Sequence, residues 1–226
     1  MTAAAESVCP ERSPRGRSRI ELHDLFHQYG GIMSLVDRAK NIIVSPKSEW
    51  EVIASEQADM GGILTGYVIP MALIPAVAGF IGYGFIGIMG VSGITWGIAH
   101  ALISLISTIV GVLITAFVVD LLAPNFGSEK NLGRAMQLVA YAYTPAWVGG
   151  ILGIFPAIGW LGGLFGLYGI YLMYLGFPHT MKTPQDKVII YMIVTVVILM
   201  VVYFVLAAII TSIVFGIFGL SMFSMM

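Results

Sequence analysis

The chain has 226 residues, 58% of them hydrophobic and 10% charged, with a mean hydropathy of +0.92. A soluble globular domain carries about 25% charged residues, so a water-soluble enzyme or binding module is excluded. The formal net charge of −1 comes with no continuous basic surface outside the apolar segments, and nucleic acid is set aside as a partner.

The chain opens on "MTAAAESVCPERSPRGRSRI", whose Pro, Ser and Arg content reads as a disordered cytoplasmic tail, taken to run over residues 1–30. It lacks the apolar core of a cleaved signal peptide. Cys9 is the only cysteine, which leaves no intrachain disulfide and no Cys-based metal or redox site. His23 and His27 stand i, i+4 apart with no third ligand, so no metal is expected. Over residues 31–59 two amphipathic helices are predicted. In "IMSLVDRAKNII" (32–43), Ile32, Leu35, Val36, Ala39 and Ile43 share one face, opposite Asp37, Arg38, Lys40 and Asn41. In "SPKSEWEVIASEQAD", Ser45 and Pro46 form a helix start, and Trp50, Ile53, Ala54 and Gln57 follow at helical spacing. Both helices are too short and polar to span. They read as lying on the membrane surface with Trp50 at headgroup level, or as a soluble pair capping the membrane domain.

From residue 60 the charge disappears. No Asp, Glu, Lys or Arg occurs over Met60–Val119, Ala135–Met181 or Val188–Met226, together 146 residues. At roughly 20 apolar residues per crossing, these stretches hold five transmembrane helices, placed at about 63–87, 98–122, 135–154, 157–176 and 188–215. The fold class is therefore all-α, a polytopic membrane protein. Its basic residues are Arg12, Arg15, Arg17, Arg19, Arg38, Lys40 and Lys47 before the first span, Lys130 and Arg134 after the second, and Lys182 and Lys187 after the fourth. With five spans all fall on one side, so the positive-inside rule predicts a cytoplasmic N-terminus and an external C-terminus.

Ionisable groups within spans are functional candidates, and there are few. Asp120 ends span 2, where it can reach water or pair with Lys130 or Arg134. His100 enters span 2 as an isolated residue and reads as a hydrogen-bonded interfacial group. There is no HExxH, GxSxG or P-loop, and no cofactor or catalytic residue is expected. Small residues recur four apart, as at Gly159/Gly163 and Gly162/Gly166, a spacing that lets helix backbones approach closely. The run "GWLGGLFG" (159–166) is predicted to mark a helix–helix interface. In "YAYTPAWVGG" (141–150), Pro145 falls near the middle of span 3 and removes the donor to the Tyr141 carbonyl. The Thr144 hydroxyl or a neighbouring helix must then compensate. Either the kink is packed, with Tyr141 and Tyr143 as core aromatics, or a broken helix frames a small cavity, as in transporters.

"SPKSEWEVIASE", five spans, "YAYTPAWVGGILGIFP" and "LYGIYLMYLGFPHTM" together resemble the Yip-one (Ypt-interacting protein) membrane family, and most closely its bacterial inner-membrane branch, over residues 40–215. The resemblance rests on Tyr143, Thr144 and Pro145 and on the Tyr/Leu-rich stretch closing in Gly176. It implies a five-span protein of the inner membrane with a cytoplasmic N-terminus. Eukaryotic members are implicated in vesicle traffic and contact Rab-type GTPases through an Asp-Leu-Tyr-Gly-Pro motif. Here the nearest string, "DLFHQYG" (24–30), departs from that motif and puts a GTPase partner in doubt. Two functions follow. One is a non-enzymatic scaffold or membrane-organising, trafficking-like factor, whose partners are the lipid bilayer and other membrane proteins or a second copy. The other is a small transporter or channel with a cavity near Pro145. A transporter should line one water-accessible path with several of Thr65, Ser104, Thr108, Thr115, Tyr141 and Thr144. A scaffold should pack them against neighbours.

Overall fold

A computed structural model describes residues 35–87 and 92–223, and beyond Val205 the helix backbone alone. The predicted tail, Cys9, His23, His27 and "DLFHQYG" lie outside the described residues. The chain divides into two compact units, Met1–Arg38 and Ala39–Met226. In the first, the described residues 35–38 are helical.

The second unit is all-helical, with no strand among its described residues. It opens with α1 (residues 39–44) and α2 (Pro46–Ser55), the latter starting on Pro46 as expected. Four helices are long and apolar enough to cross a membrane. They are α3 (Met60–Ile86), α4 (Ile94–Phe126), α7 (Gly159–Thr180) and the first part of α8 (Gln185–Phe223). Each overlaps a span expected from the loss of charge. The third expected span, 135–154, is not one helix. It is α5 (Leu132–Ala142), a break at Tyr143, α6 (Thr144–Gly149) and a 3-10 turn at Gly150–Ile154. At about 1.5 Å per residue this broken segment still covers roughly the ~30 Å of hydrocarbon.

The caps explain where these elements start. Asp59 accepts from the amides of Gly61 and Gly62 at 3.1 and 3.0 Å and opens α3. Asn131 accepts from Arg134 N at 3.0 Å and opens α5. Helix α3 carries two prolines and compensates with π-helical turns at Leu64–Val68 and Gly82–Ile86, ending at Gly87 with φ 73°.

Contact between helices comes from missing side chains. On α7 the glycines pressed tightly against the third segment and α2 are Gly162, Gly169 and Gly176, seven apart. A Cβ at Gly162 would meet the Gly149 carbonyl oxygen at 2.8 Å, and one at Gly169 the Ala142 carbonyl oxygen at 2.7 Å. At Gly176 it would meet the Trp50 ring at 2.7 Å. Within the expected interface, "GWLGGLFG", Gly162 and Phe165 make the contact and Gly163 and Gly166 do not. Gly163 is exposed, and a Cβ there or at Gly166 meets nothing within 4 Å. Gly159 makes only ordinary contact, its Cβ position 3.6 Å from Gly153 Cα. The reason is periodic: two helical turns take about seven residues, so residues seven apart hold one face, while Gly163 is turned about 100° away from Gly162.

Candidate functional site

The break at Tyr143 is the polar and aromatic centre of the second unit. Pro145 cannot donate to an upstream carbonyl, and Tyr143 takes φ −81°, ψ −7°, where α5 ends. A new helix then starts, with Pro145 in its first turn, where a missing amide proton costs nothing. Trp147 N donates to the Tyr143 carbonyl at 3.2 Å. The expected kink is therefore a restart.

The restart aims Thr144, Tyr143 and Tyr141 at α3 and α4, with Trp147 packed beside them. Thr144, fully buried, has its Oγ1 2.7 Å from Tyr67 Oη on α3. This is its recorded partner, in place of the expected Tyr141 carbonyl. Tyr143 Oη lies 3.2 Å from Thr115 Oγ1 on α4. Tyr141 packs edge-on to Tyr67 with ring centroids 4.7 Å apart, and Trp147 sits 6.2 Å from the Tyr143 ring. Aromatic pairs in such geometry contribute about 0.5–1.5 kcal/mol each beyond the area they bury.

Trp50 completes this cluster from outside the spans. It is fully buried, 6.4 Å edge-to-face from Tyr141, over Gly176. Sequence reasoning put it at headgroup level. It is buried in protein because Gly176 leaves room for the indole, and Ile42 and Ile53 are buried with it. Helices α1 and α2 thus cap the membrane domain. Arg134 donates to the Ile53 carbonyl at the end of α2 (3.3 Å) and to Gln137 Oε1 (2.9 Å), a cation placed at a helix C-terminus.

Asp120 is buried, with Oδ1 lacking a hydrogen-bond partner among the described residues. It does not reach water freely, and Arg134 is engaged elsewhere. The adjacent Val119 carbonyl accepts from Tyr191 Oη, which brings α8 over the end of α4. His100 stacks on Tyr83 at 4.3 Å in the space that Gly79 leaves, and its Nδ1 has no partner among the described residues. The expected hydrogen bond of an interfacial histidine is not formed at Nδ1 among the described residues. No group of three His, Cys, Asp or Glu that could hold a metal occurs among the described residues.

The hydroxyl groups proposed for a path divide between sites. Thr65 bonds the Gly61 carbonyl of its own helix at 2.9 Å, Thr115 pairs with Tyr143, and Thr144 pairs with Tyr67 beside Tyr141. The partners that sequence reasoning missed are Tyr67 and Tyr191. Both lie in charge-free stretches of their helices, and no periodic signal marks either.

At the opposite pole to the glycine contacts of Gly82 with Gly153, loop meets loop. Glu129 N donates to the Met181 carbonyl at 3.0 Å, Lys182 pairs with Glu129 at 2.7 Å, and Ser128 lies 2.8 Å from Thr183.

A family model described as the Yip1 domain matches residues 40–207. The chain is 30% identical over 123 residues to "Inner membrane protein YohC" of Escherichia coli strain K12, and equally to the protein of that name in Escherichia coli O6:H1. The matches cover 51% of this chain and 62% of each relative, so the chain spans less than two thirds of the curated relatives it matches. No solved structure matches.

Proposed function

The chain belongs to the Yip1 domain family, and on that premise we propose that it is a non-enzymatic, multi-pass protein of the inner membrane that organises its membrane or protein neighbours. It acts through helix packing and the α1–α2 cap, with partners among other membrane proteins, a second copy and the bilayer itself. Its N-terminus lies in the cytoplasm and its C-terminus on the outer side. Nucleic acid is not a partner, and a GTPase partner is not proposed, since residues 24–30 depart from the eukaryotic motif.

One observation carries the reading. The polar side chains of the central segment are matched to protein: Thr144 to Tyr67 and Tyr143 to Thr115. A carrier needs such groups facing one path. The orientation is supported by the loop pairing of Glu129 with Met181 and Lys182, and by Arg134 on α2, which gather basic residues at one end.

Crosslinking from an exposed α2 position such as Val52 in native membranes, followed by pull-down, tests this reading. The expected result is a reproducible adduct with a membrane protein or a second copy. Adducts with lipid alone, together with specific solute uptake by proteoliposomes, would replace the scaffold with a carrier.

A further inference from the structure

Beside the break lies a cavity of about 270 Å³ between α4, the third segment, α7 and α8. Its wall includes Thr115, Tyr143, Gly166 and Thr195, and it shares Ile170 and Val196 with an apolar groove of about 620 Å³ between α7 and α8. Ligand sites commonly measure ~300–1,000 Å³, a range that the cavity and groove together reach.

The hydroxyl groups can be assigned one by one. Thr115 Oγ1 donates its single proton to the Gly111 carbonyl at 2.7 Å. In its 3.2 Å contact with Tyr143 it must therefore accept, so the tyrosine proton is used there. Tyr143 Oη keeps a free lone pair, while its proton is engaged by Thr115. Thr195 is 1% exposed, and its Oγ1 has no partner among the described residues. The wall thus offers one free donor, Thr195, and acceptors on both Thr195 and Tyr143. A ligand hydroxyl can accept from the first and donate to the second. An ester or ketone can only accept. No charged side chain lines the cavity, so a charged headgroup would enter unpaired.

The geometry points to a binding site for an uncharged lipid alcohol, its hydroxyl at Thr195 and Tyr143 and its chain along the groove beyond Ile170 and Val196. The site goes beyond the scaffold reading and does not depend on it.

Gly166 provides the test, because a Cβ there meets nothing within 4 Å and a larger side chain can fill the cavity without displacing backbone. The full chain in lipid nanodiscs is photolabelled with a diazirine-bearing hexadecanol and, in parallel, with the matching diazirine-bearing hexadecane. Adducts are mapped by peptide mass spectrometry. The alcohol should label the α7 and α8 peptides at least fivefold more than the alkane, since each of its two hydrogen bonds supplies about that factor. Gly166→Leu should abolish that excess. Thr195→Val, which keeps the shape and loses the hydroxyl, should cut that excess about fivefold and leave alkane labelling unchanged. Equal labelling by both probes in the unmodified chain, or an excess that Thr195→Val does not reduce, would overturn the site and leave only bulk lipid contact or bound water.

Discussion

Gly163 and Gly169 lie on the same helix in opposite surroundings, which makes them a direct test of what holds α7 in place. A methyl group at Gly169 would sit 2.7 Å from the Ala142 carbonyl oxygen, and backbone must move to admit it. Gly169→Ala should therefore destabilise by about 1–3 kcal/mol, as overpacking does. Gly163→Ala meets open space and gains helix propensity, so it should be neutral or stabilising by up to about 1 kcal/mol. Thermal unfolding in detergent compares the two, and equal losses would refute the face assigned to α7. A second test concerns Tyr67 and Thr144, whose oxygens lie 2.7 Å apart in a buried site. Tyr67→Phe should cost about 1–3 kcal/mol, because it leaves the buried Thr144 hydroxyl without this partner, and Thr144→Val should cost about 0.5–1.5 kcal/mol for the lost hydrogen bond. The double variant should cost less than their sum, and strict additivity would mean that the pair is not coupled.

At the scale of elements, the third segment shows how proline acts when tertiary contacts set the break. Four contacts hold the restart: Thr144 to Tyr67, Tyr143 to Thr115, Gly149 against Phe165 and Gly150 against Pro75. Pro145 sits in the first turn of α6, where its ring agrees with the backbone. Pro145→Ala should therefore keep the break and cost only about 0.4–1 kcal/mol, mostly through a more flexible unfolded chain. A loss of several kcal/mol, or a spin-label distance across residues 138–148 that lengthens to that of a straight helix, would show that the ring itself imposes the break. The break was legible in "YAYTPAW", because proline chemistry is local. Its form was not, since whether a chain kinks or restarts depends on Tyr67 and Thr115, which sit far away in sequence. The same limit applies to Trp50. An apolar stripe on α2 reads the same whether lipid or protein covers it, and only Gly176, opposite in space, decides. The glycine face of α7 was hidden for another reason: helices apolar all round give no moment to choose among glycines.

For the whole molecule, the absence of charge was the most legible signal, because burying a charge in hydrocarbon is costly and the spans had to fall where charge was missing. Asp120 went against it, since its burial depends on α8 closing over the end of α4 through Tyr191. Side tests the proposed orientation. Cys9, the only cysteine, should react with a membrane-impermeant maleimide in inside-out vesicles and stay unlabelled in intact cells. Labelling of intact cells would reverse the topology.

The broken third segment also bears on how the chain is made. A nascent segment enters lipid alone only if it can satisfy its own backbone and tolerate its own side chains there. The stretch from Leu132 to Ile154 carries Arg134, Gln137, Thr144 and Pro145, and it gains partners from α2, α3 and α4, which precede it, and from α7, which follows. Only residues 155–158 separate it from the helical start of α7 at Gly159. Synthesis should therefore deliver the two as one hairpin. A ribosome-stalled chain ending near Ile158 should leave the segment accessible to water-borne reagents, and one that also carries α7 should not.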